Sequence, residues 1–527
     1  MSRGSDANPS ALLSTTSRLV TAPVVSDPEN PLRAALGAAY DLRLVDRTTR
    51  RRTHLDTPDQ RLRAAGLSLT QLENGVLVAR RGRELAVRQD VGSSMSWPVL
   101  ATDLPPGPVR ELIAPVASIR AIVELATVQT RSTSFAVLNA DHKTVARIGW
   151  TEGELINPTA RPLGVQVEVE KLRGYATEAK DVRRRMAAAG LDVADGEPWH
   201  DAVLALSGAG RPATRRFGMR PDQPGDLAVA DALLGYLAEM ETTVDGVVAD
   251  IDTEYLHDFR VAVRRTRSVV KLLGDQLPAD AVAWALAEFR WLGDVTTPTR
   301  DLDVYLLGMD GMRAAVSRPE DLAPFERHIR RRRQAAQAEL AEALRSPRYA
   351  TLVRRWRSAL ADVITAPTNS PETAADLARE RIGHTFTQVS RRARSIKTSS
   401  PSVQVHALRK KCKELRYLLE VFRPLCDALT YKKVVGDLKQ LQEVLGQFQD
   451  GEVQAAGLRD FAAEMVRSGD TPVDTLMAMG QLSAEFDRRQ RSARAELDAH
   501  HESYLGHKAA GHLAQLIDLG DGRIAAR

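Results

Sequence analysis

One stretch of this chain, residues 256–273, carries a histidine and four cations in a regular pattern. His257, Arg260, Arg264, Arg267 and Lys271 stand at offsets of 0, 3, 7, 10 and 14 residues. In an α-helix, which turns about 100° per residue, these offsets fall within an arc of roughly 80°. Cations on one narrow helix face repel each other. The pattern therefore predicts a basic helix stripe that a polyanion neutralises.

The same stripe recurs 149 residues later in the chain. Its members are His406, Arg409, Lys413 and Arg416. The register continues, because residues 300–304 correspond to residues 449–453 at the same offset. A second block, residues 331–340, resembles residues 488–497 at an offset of 157. These matches predict an internal duplication. A single basic stripe is typical of a solvated helix face, but a stripe that recurs with its histidine first favours a binding function.

The residue types in the stripes suit a phosphate polymer. Arginine presents a planar fork that matches phosphate oxygens, and lysine adds a point charge. Four cations along about 20 Å of helix fit a linear polyanion better than one small phosphate ester. For His257 and His406 we favour a role as hydrogen-bond donors to phosphate, and packing in the core is the main alternative. Metal ligation and phospho-acceptor chemistry lack the partner residues that they require.

Further basic residues are predicted to widen this surface. They are Arg300, Lys410, Lys432 and Lys433. Lys410 points about 90° away from the centre of the second stripe and reaches a ligand from the flank, whereas Lys411 is expected to face solvent. The run of arginines at residues 330–333 covers all sides of a helix, which is typical of a solvated face. We therefore do not include that run in the predicted site.

Composition sets limits on the class of protein. The 527 residues are 43% hydrophobic but only 5% aromatic, a texture that favours helices over strands. Because 73 basic residues nearly balance 68 acidic ones, only local clustering of charge informs about partners. The two cysteines, Cys412 and Cys426, exclude a disulfide framework and are expected to be reduced. With no signal peptide and no long apolar run, we expect a cytoplasmic protein without a membrane partner.

Changes in residue composition and periodicity along the chain predict an α+β protein with separate domains. Residues 1–30 resemble a disordered leader, and residues 208–225 form a Gly/Pro linker. Between them, residues 31–207 predict a mostly antiparallel, barrel-like sheet domain. Residues 226–517 predict an all-α duplicated bundle with repeats at 226–365 and 371–517. Within the bundle, helices are expected near these ranges: 279–296, 300–315, 429–446, 450–468, 474–500 and 502–517.

The segment Thr53–Leu69 resembles the CYTH domain, also known as the triphosphate tunnel metalloenzyme fold. The resemblance implies an antiparallel barrel in which basic residues hold a triphosphate and glutamates, here Glu168 and Glu170, hold Mg²⁺ or Mn²⁺. The Glu-x-Glu-x-Lys strand of that family is missing before Thr53, where arginines stand instead. The strand Thr70–Leu72 likewise has no cation. We therefore expect a degenerate domain without catalysis, and Mg²⁺ or Mn²⁺ as a cofactor only if the domain is active.

The duplicated region resembles the CHAD domain, the conserved-histidine α-helical domain. The motif comprises the first stripe, Trp291 and Arg300-Asp301-x-Asp303-Val304; Thr297 stands where the family commonly has the glycine that repeat two keeps as Gly446. The resemblance implies helical bundles that bind inorganic polyphosphate. The leading prediction is therefore a non-catalytic polyphosphate-binding protein, associated with polyphosphate granules. A CYTH-type triphosphatase and a nucleic-acid-binding module are the alternatives, and the low aromatic content argues against the second. The sequence leaves the oligomeric state open.

Overall fold

The protein is described from a computed structural model, in which the chain divides into two compact units, Met1–Ala213 and Thr214–Arg527. The described residues are 19–22, 27–82, 84–190, 192–194, 203, 218–368, 370–396, 400–469, 471–505, 511–512 and 515–516. Several predicted segments lie partly outside this set: most of the leader, residues 195–202 and 204–207 of the sheet domain, residues 208–217 of the linker, and residues 506–510, 513–514 and 517 of the last helix. Each unit is described by itself.

The N-terminal unit is built on an antiparallel sheet, as predicted. Its strands follow the order β10-β1-β9-β8-β7-β2-β3-β4-β5, and β6 pairs with β7 off this path. The strands are β1 (Leu19–Ala22), β2 (Asp41–Asp56), β3 (Leu67–Leu72), β4 (Val76–Arg81), β5 (Glu84–Asp90), β6 (Val99–Leu100), β7 (Ala121–Leu138), β8 (Thr144–Asn157), β9 (Arg161–Lys171) and β10 (Asp192–Ala194). Among the described residues, these helices accompany the strands: α1 (Glu29–Leu36), α2 (Arg61–Ala64), α3 (Pro108–Ala117) and α4 (Ala176–Ala188).

The alternation of side chains along β9 shows how the sheet forms its core. Val165, Val167 and Val169 are buried against Phe135 and Trp150, while the residues between them lie on the other, more exposed face. The long strand β2 contains the arginines that precede Thr53. Strand β1 corrects the predicted leader, because its backbone pairs with both β9 and β10.

The turn after β2 has a specific anchor. The Asp56 carboxylate is buried and accepts hydrogen bonds from the backbone N–H groups of Thr57, Leu62 and Arg63 at 2.7, 2.9 and 3.0 Å. Burial raises the pKa of Asp56, and these three donors act in the opposite direction. In the segment that resembles the CYTH domain, the turn is thus stabilised by hydrogen bonds from the backbone to a buried aspartate.

The C-terminal unit is an all-α bundle, as predicted. Its helices are α5 (Gly225–Val248), α6 (Thr253–Leu273), α7 (Ala279–Leu307), α8 (Met309–Ala314), α9 (Ala323–Arg345), α10 (Pro347–Thr365), α11 (Ala374–Ser395), α12 (Ser402–Val421), α13 (Ala428–Arg467) and α14 (Val473–Leu505). The predicted breaks near residues 297–299, 447–449 and 501 are wrong. Helix α7 continues through Pro298, and α13 continues through Gly446, because packing on neighbouring helices outweighs one lost hydrogen bond or one flexible residue.

Helix α6, which carries the first stripe, is fixed at its start and along one side. The Asp252 side chain caps it by accepting hydrogen bonds from the backbone N–H groups of Glu254 and Tyr255 at 2.9 and 3.0 Å. Phe259 and Val270, which flank the stripe, are at most 1% exposed and pack into the main core. Burial of this apolar flank forces the basic stripe to lie at the edge of the core.

Candidate functional site

The two predicted stripes meet at one cavity of about 520 Å³ in the helical unit. Its lining consists of His257, Asp258, Val261, Arg264, Arg265, Arg409, Lys413, Arg416, Tyr417, Glu420 and Gln442. Helix α6 supplies the first five, α12 the next five and α13 the last. The structure therefore brings together His257 and Arg264 of the first stripe with Arg409, Lys413 and Arg416 of the second. We call this space the central cavity.

The lining of the central cavity carries excess positive charge. Five of its residues are arginine or lysine, and two, Asp258 and Glu420, are carboxylates. Burial, together with the neighbouring Arg409, Arg264 and Arg416, lowers the pKa of Lys413 to about 8 against the opposing effect of Asp450. A lysine whose charge is destabilised by its surroundings marks a place where an anion is favoured.

Two ion pairs tie α6 to α12, each between a cation of α6 and a glutamate of α12. Arg265 Nε lies 3.0 Å from Glu420 Oε2, and Lys271 Nζ lies 3.0 Å from Glu414 Oε1. The offset of 149 relates Arg265 to Glu414 and Lys271 to Glu420, so the charges are exchanged between the repeats. Lys271, a predicted site residue, thus lies at Glu414 rather than in the cavity lining.

The prediction for Lys411 also needs correction. Its Nζ lies 2.7 Å from Glu414 Oε2, and only 26% of its side chain is exposed. The residue does not simply face solvent, because Glu414 forms ion pairs with both Lys271 of α6 and Lys411 of α12.

The second stripe position, Arg260 in repeat one and Arg409 in repeat two, differs between the repeats. The Arg260 guanidinium donates to Thr296 Oγ1 at 2.7 Å, to Thr297 Oγ1 at 2.9 Å and to the Gly293 carbonyl at 3.3 Å, all on α7. In repeat two, Leu445 and Gly446 replace the two threonines and offer no hydroxyl. The equivalent Arg409 instead lines the central cavity, 3.8 Å from Asp450. Thr297, which stands in place of the family's glycine, thus helps to hold a stripe arginine.

The two histidines also have different surroundings. His257 lines the central cavity, and burial, reinforced by Arg300, lowers its pKa. His406 is not part of the lining: its Nδ1 lies 2.6 Å from Gln449 Oε1 and its Nε2 lies 2.9 Å from Glu452 Oε2. Both ring nitrogens of His406 are therefore engaged within the protein. Of the two stripe histidines, His257 is the one that lines the central cavity.

The remaining predicted site residues lie outside the cavity lining. Arg267 is exposed, and its guanidinium group lies close to Gly293. A Cβ atom added at this glycine would be 3.0 Å from Arg267 Nη1. Arg300 is half-buried, and its buried Nη1 has no hydrogen-bond partner. Three lysines are exposed on their helices: Lys410, Lys432 and Lys433.

Several lining residues were missed from the sequence. They are Asp258, Val261, Arg265, Tyr417, Glu420 and Gln442. The exchange of charge at the offset of 149 was a signal for Arg265 and Glu420, because complementary charges at equivalent positions indicate a contact between repeats. Arg264 lies over the Tyr417 ring, 5.9 Å from its centroid, and no sequence pattern announces that contact.

The arginine run at residues 330–333 is more than a solvated face. Arg333 is 16% exposed and reaches Asp303, a fully buried residue of the predicted motif, at 2.9 Å, as well as Asp250. Arg332 pairs with Glu464. The acidic residue of the motif in repeat one thus anchors α9 to α7, which corrects the interpretation of this run.

In the N-terminal unit, the two predicted metal-binding glutamates have different environments. Glu168 is exposed on β9, and Glu170 lies 3.6 Å from Arg147. Across the described part of the chain, no three His, Cys, Asp or Glu residues group closely enough to hold a metal ion. Within the same part, no helix has the length and apolar character needed to cross a membrane.

Comparison with known proteins identifies the helical unit. Residues 231–459 match the model of the CHAD domain family, so this part of the chain is a CHAD domain, as predicted. Over 473 residues, 85% of this chain, the protein is similar at 23% identity to the uncharacterized protein Rv2226 of Mycobacterium tuberculosis (strain ATCC 25618 / H37Rv), of which the alignment covers 88%. The uncharacterized protein MT2285 of strain CDC 1551 / Oshkosh matches to the same extent. The resemblance of the N-terminal unit to the CYTH domain stays a prediction.

Two solved structures are also similar to the helical part. The CHAD domain from the plant Ricinus communis shares 24% identity over 55% of this chain and 94% of its own, with a TM-score of 0.47. PptA from Streptomyces chartreusis shares 16% identity over 53% of this chain and 100% of its own, with a TM-score of 0.41. The domain assignment rests on the family model.

Proposed function

We propose that this protein binds inorganic polyphosphate in the central cavity between α6 and α12. The observation that carries the proposal is the cluster of arginines around Lys413, whose pKa of about 8 reflects burial among positive charges. A linear polyanion relieves that repulsion. The CHAD family, which is linked to polyphosphate binding, supports the same substrate class.

The lining residues have distinct roles in this proposal. Arg264, Arg409 and Arg416 present forked donors that match pairs of phosphate oxygens. Lys413 supplies a point charge, and bound phosphate raises its pKa toward the ordinary value. His257 donates a hydrogen bond to phosphate through its ring N–H, which the neutral imidazole also carries.

The proposal extends the ligand beyond the cavity itself. Arg267 and Lys410 are exposed on the two helices that line the cavity, and they offer further contacts to a long chain. Lys432 and Lys433, at the start of α13, lie outside the lining and are the residues least expected to contact the polyphosphate. A chain of many phosphates gains from all of these positions, whereas a single phosphate ester gains from a few.

The test is a competition experiment with long-chain polyphosphate against single- and double-stranded nucleic acid at physiological salt. We expect polyphosphate to displace nucleic acid, and Lys413→Gln and Arg416→Gln to weaken polyphosphate binding. Arg488→Gln is the matched control, since Arg488 is exposed and already paired with Glu485 at 2.6 Å. Preferential binding of nucleic acid, or equal losses in all three variants, would overturn the proposal.

The proposed role is non-catalytic and needs no cofactor. Mg²⁺ or Mn²⁺ enters only if the N-terminal unit acts as a triphosphatase, an alternative that Glu168 and Glu170 keep open. We also propose a cytoplasmic location with association to polyphosphate granules and no membrane partner. Imaging of a tagged chain against a polyphosphate stain tests the location, and a diffuse signal in granule-containing cells would contradict the association.

A further inference from the structure

A second basic pocket, of about 320 Å³, lies in the helical unit beside the end of α13. Its lining consists of Pro324, Arg327, His328, Arg330, Arg331, Met465, Ser468 and Thr471. It shares no lining residue with the central cavity. Along α13, Gln442 of the central cavity and Met465 of this pocket are 23 residues apart, about 35 Å of helix. We call it the α9 pocket, since α9 supplies most of its cations.

Two cations of the α9 pocket are not neutralised by the protein. Pro324, Arg327, His328 and Arg331 recur at helical spacing and share one face of α9. Arg327 and Arg331 are exposed and have no ion pair or hydrogen bond with the residues that the structure describes. Arg330, in contrast, is paired with Glu326 at 2.5 Å. The pocket therefore offers two guanidinium groups, about one turn of helix apart, that no described residue pairs with.

Buried polar atoms in the same lining also lack partners. His328 is 8% exposed, and its Nε2 makes no hydrogen bond; the nearest carboxylate oxygen, on Glu464, is 3.6 Å away. Thr471 Oγ1 is likewise buried without a hydrogen-bond partner. Leaving such buried atoms without a hydrogen-bond partner is unfavourable, because they have lost their contacts with water. Oxygen atoms of a ligand in the pocket satisfy both.

The corresponding face of repeat two has a different charge pattern. At the offset of 157, Ala484, Glu485 and Asp487 stand where Arg327, His328 and Arg330 stand in repeat one. Arg488 corresponds to Arg331 but pairs with Glu485 at 2.6 Å. The duplication therefore produced one face that neutralises itself and one face with unmatched cations.

The geometry points to an oxyanion-binding site in the α9 pocket, which accepts one phosphate group through the guanidinium groups of Arg327 and Arg331. His328 Nε2 and Thr471 Oγ1 pair with the remaining oxygens of that group. Glu464 does not block the site, because Arg332 pairs with its carboxylate. This site is separate from the proposed polyphosphate site, and it takes either a free inorganic phosphate anion or one group of a phosphate polymer.

The test is arginine footprinting of the full chain with phenylglyoxal, read by mass spectrometry of the peptides that contain Arg327, Arg331 and Arg488. Inorganic pyrophosphate and long-chain polyphosphate are the two probes, used at equal ionic strength. We expect at least one probe to slow modification of Arg327 and Arg331 severalfold, while Arg488, the matched control, is unprotected. Protection by pyrophosphate assigns a free anion, and protection by the polymer alone assigns one group of a chain.

The experiment is repeated in the Lys413→Gln protein so that the two sites are distinguished. Protection of Arg327 and Arg331 should persist there, even if binding at the central cavity is lost. A failure of protection with both probes, or its loss on Lys413→Gln, overturns the α9 site and leaves the central cavity untouched. Conversely, protection that persists while Lys413→Gln leaves polyphosphate affinity unchanged supports this site and contradicts the proposed function.

Discussion

Polyphosphate binding should depend on pH through Lys413, and the size of the effect follows from its surroundings. In the free protein its pKa is about 8, and bound phosphate raises that pKa toward the ordinary value. The free lysine is about nine-tenths protonated at pH 7 and about one-tenth protonated at pH 9. If binding requires the charged form, the affinity falls about tenfold between these pH values, or about 1.4 kcal/mol. Binding at pH 8 takes up about half a proton.

Other charged groups around Lys413 do not produce this change. Arg409, Arg416 and Arg264 keep their charge throughout the range. Asp450 has a pKa raised by burial, but it is a carboxyl group that titrates on the acid side. His257 has a lowered pKa, so the free side chain is neutral at and above pH 7. Long chains are used because their titrating end groups are few.

The assay is isothermal titration at pH 7, 8 and 9 in buffers of different ionisation enthalpy, which reports the protons taken up. Lys413→Arg is the control, since it keeps the charge but does not titrate in this range. We expect its affinity to be nearly constant from pH 7 to 9. An unchanged affinity in the native protein, or an equal slope in Lys413→Arg, would refute the reasoning.

The same lowered pKa has the opposite effect on folding. Between pH 8 and the ordinary lysine pKa, the unfolded chain binds more protons than the folded protein. The free energy of unfolding therefore rises as the pH rises through this window. At neutral pH the charged lysine costs stability. Lys413→Met should accordingly raise the melting temperature while it weakens polyphosphate binding, and a lower melting temperature would contradict this.

Four other outcomes test different parts of the structure. Arg409→Ala should weaken polyphosphate binding about tenfold, which titration measures. Arg260→Ala should mainly lower the free energy of unfolding, by about 1–3 kcal/mol, because that side chain is already hydrogen-bonded to α7. Thermal melts measure this second effect. Affinity should fall as salt rises, with a slope reduced by about one in Arg409→Ala; an unchanged slope argues against direct contact. Arg333→Met should cost about 3–5 kcal/mol, measured with denaturant, because Asp303 is left buried and unpaired. With Mg²⁺ or Mn²⁺ the protein should not hydrolyse triphosphate; turnover that disappears in Glu168→Gln would show an active tunnel.

The spacing of residues predicted the basic helix faces, because helical periodicity alone determines which side chains share a face. It did not determine which of those side chains reach a ligand. That outcome depends on what the opposing helix offers at each position. Arg260 donates hydrogen bonds to the hydroxyls of Thr296 and Thr297. Repeat two has no hydroxyl at the two equivalent positions, so Arg409 has no such partners. Such a difference in contacts between remote segments has no signature in the stripe itself.

Local signals also misled the prediction of helix ends. Pro298 and Gly446 stand where a helix was expected to stop, and each lies inside one continuous helix. A residue with poor helix propensity costs about 1–3 kcal/mol in a helix interior, which tertiary packing along the rest of a long helix offsets. The order of sheet and bundle was predicted correctly, since it depends on periodicity summed over many residues.

The exchanged ion pairs between α6 and α12 determine which half of the bundle associates with which. In the observed pairing, Arg265 meets Glu420 and Lys271 meets Glu414. If two copies of repeat one associated in the same way, Arg265 would meet Lys271 twice; two copies of repeat two would bring glutamates together. Both self-pairings are repulsive. Separately expressed halves of the CHAD domain should therefore form a one-to-one heterodimer and no homodimers, a selectivity that makes the duplicated bundle a candidate for split-protein complementation.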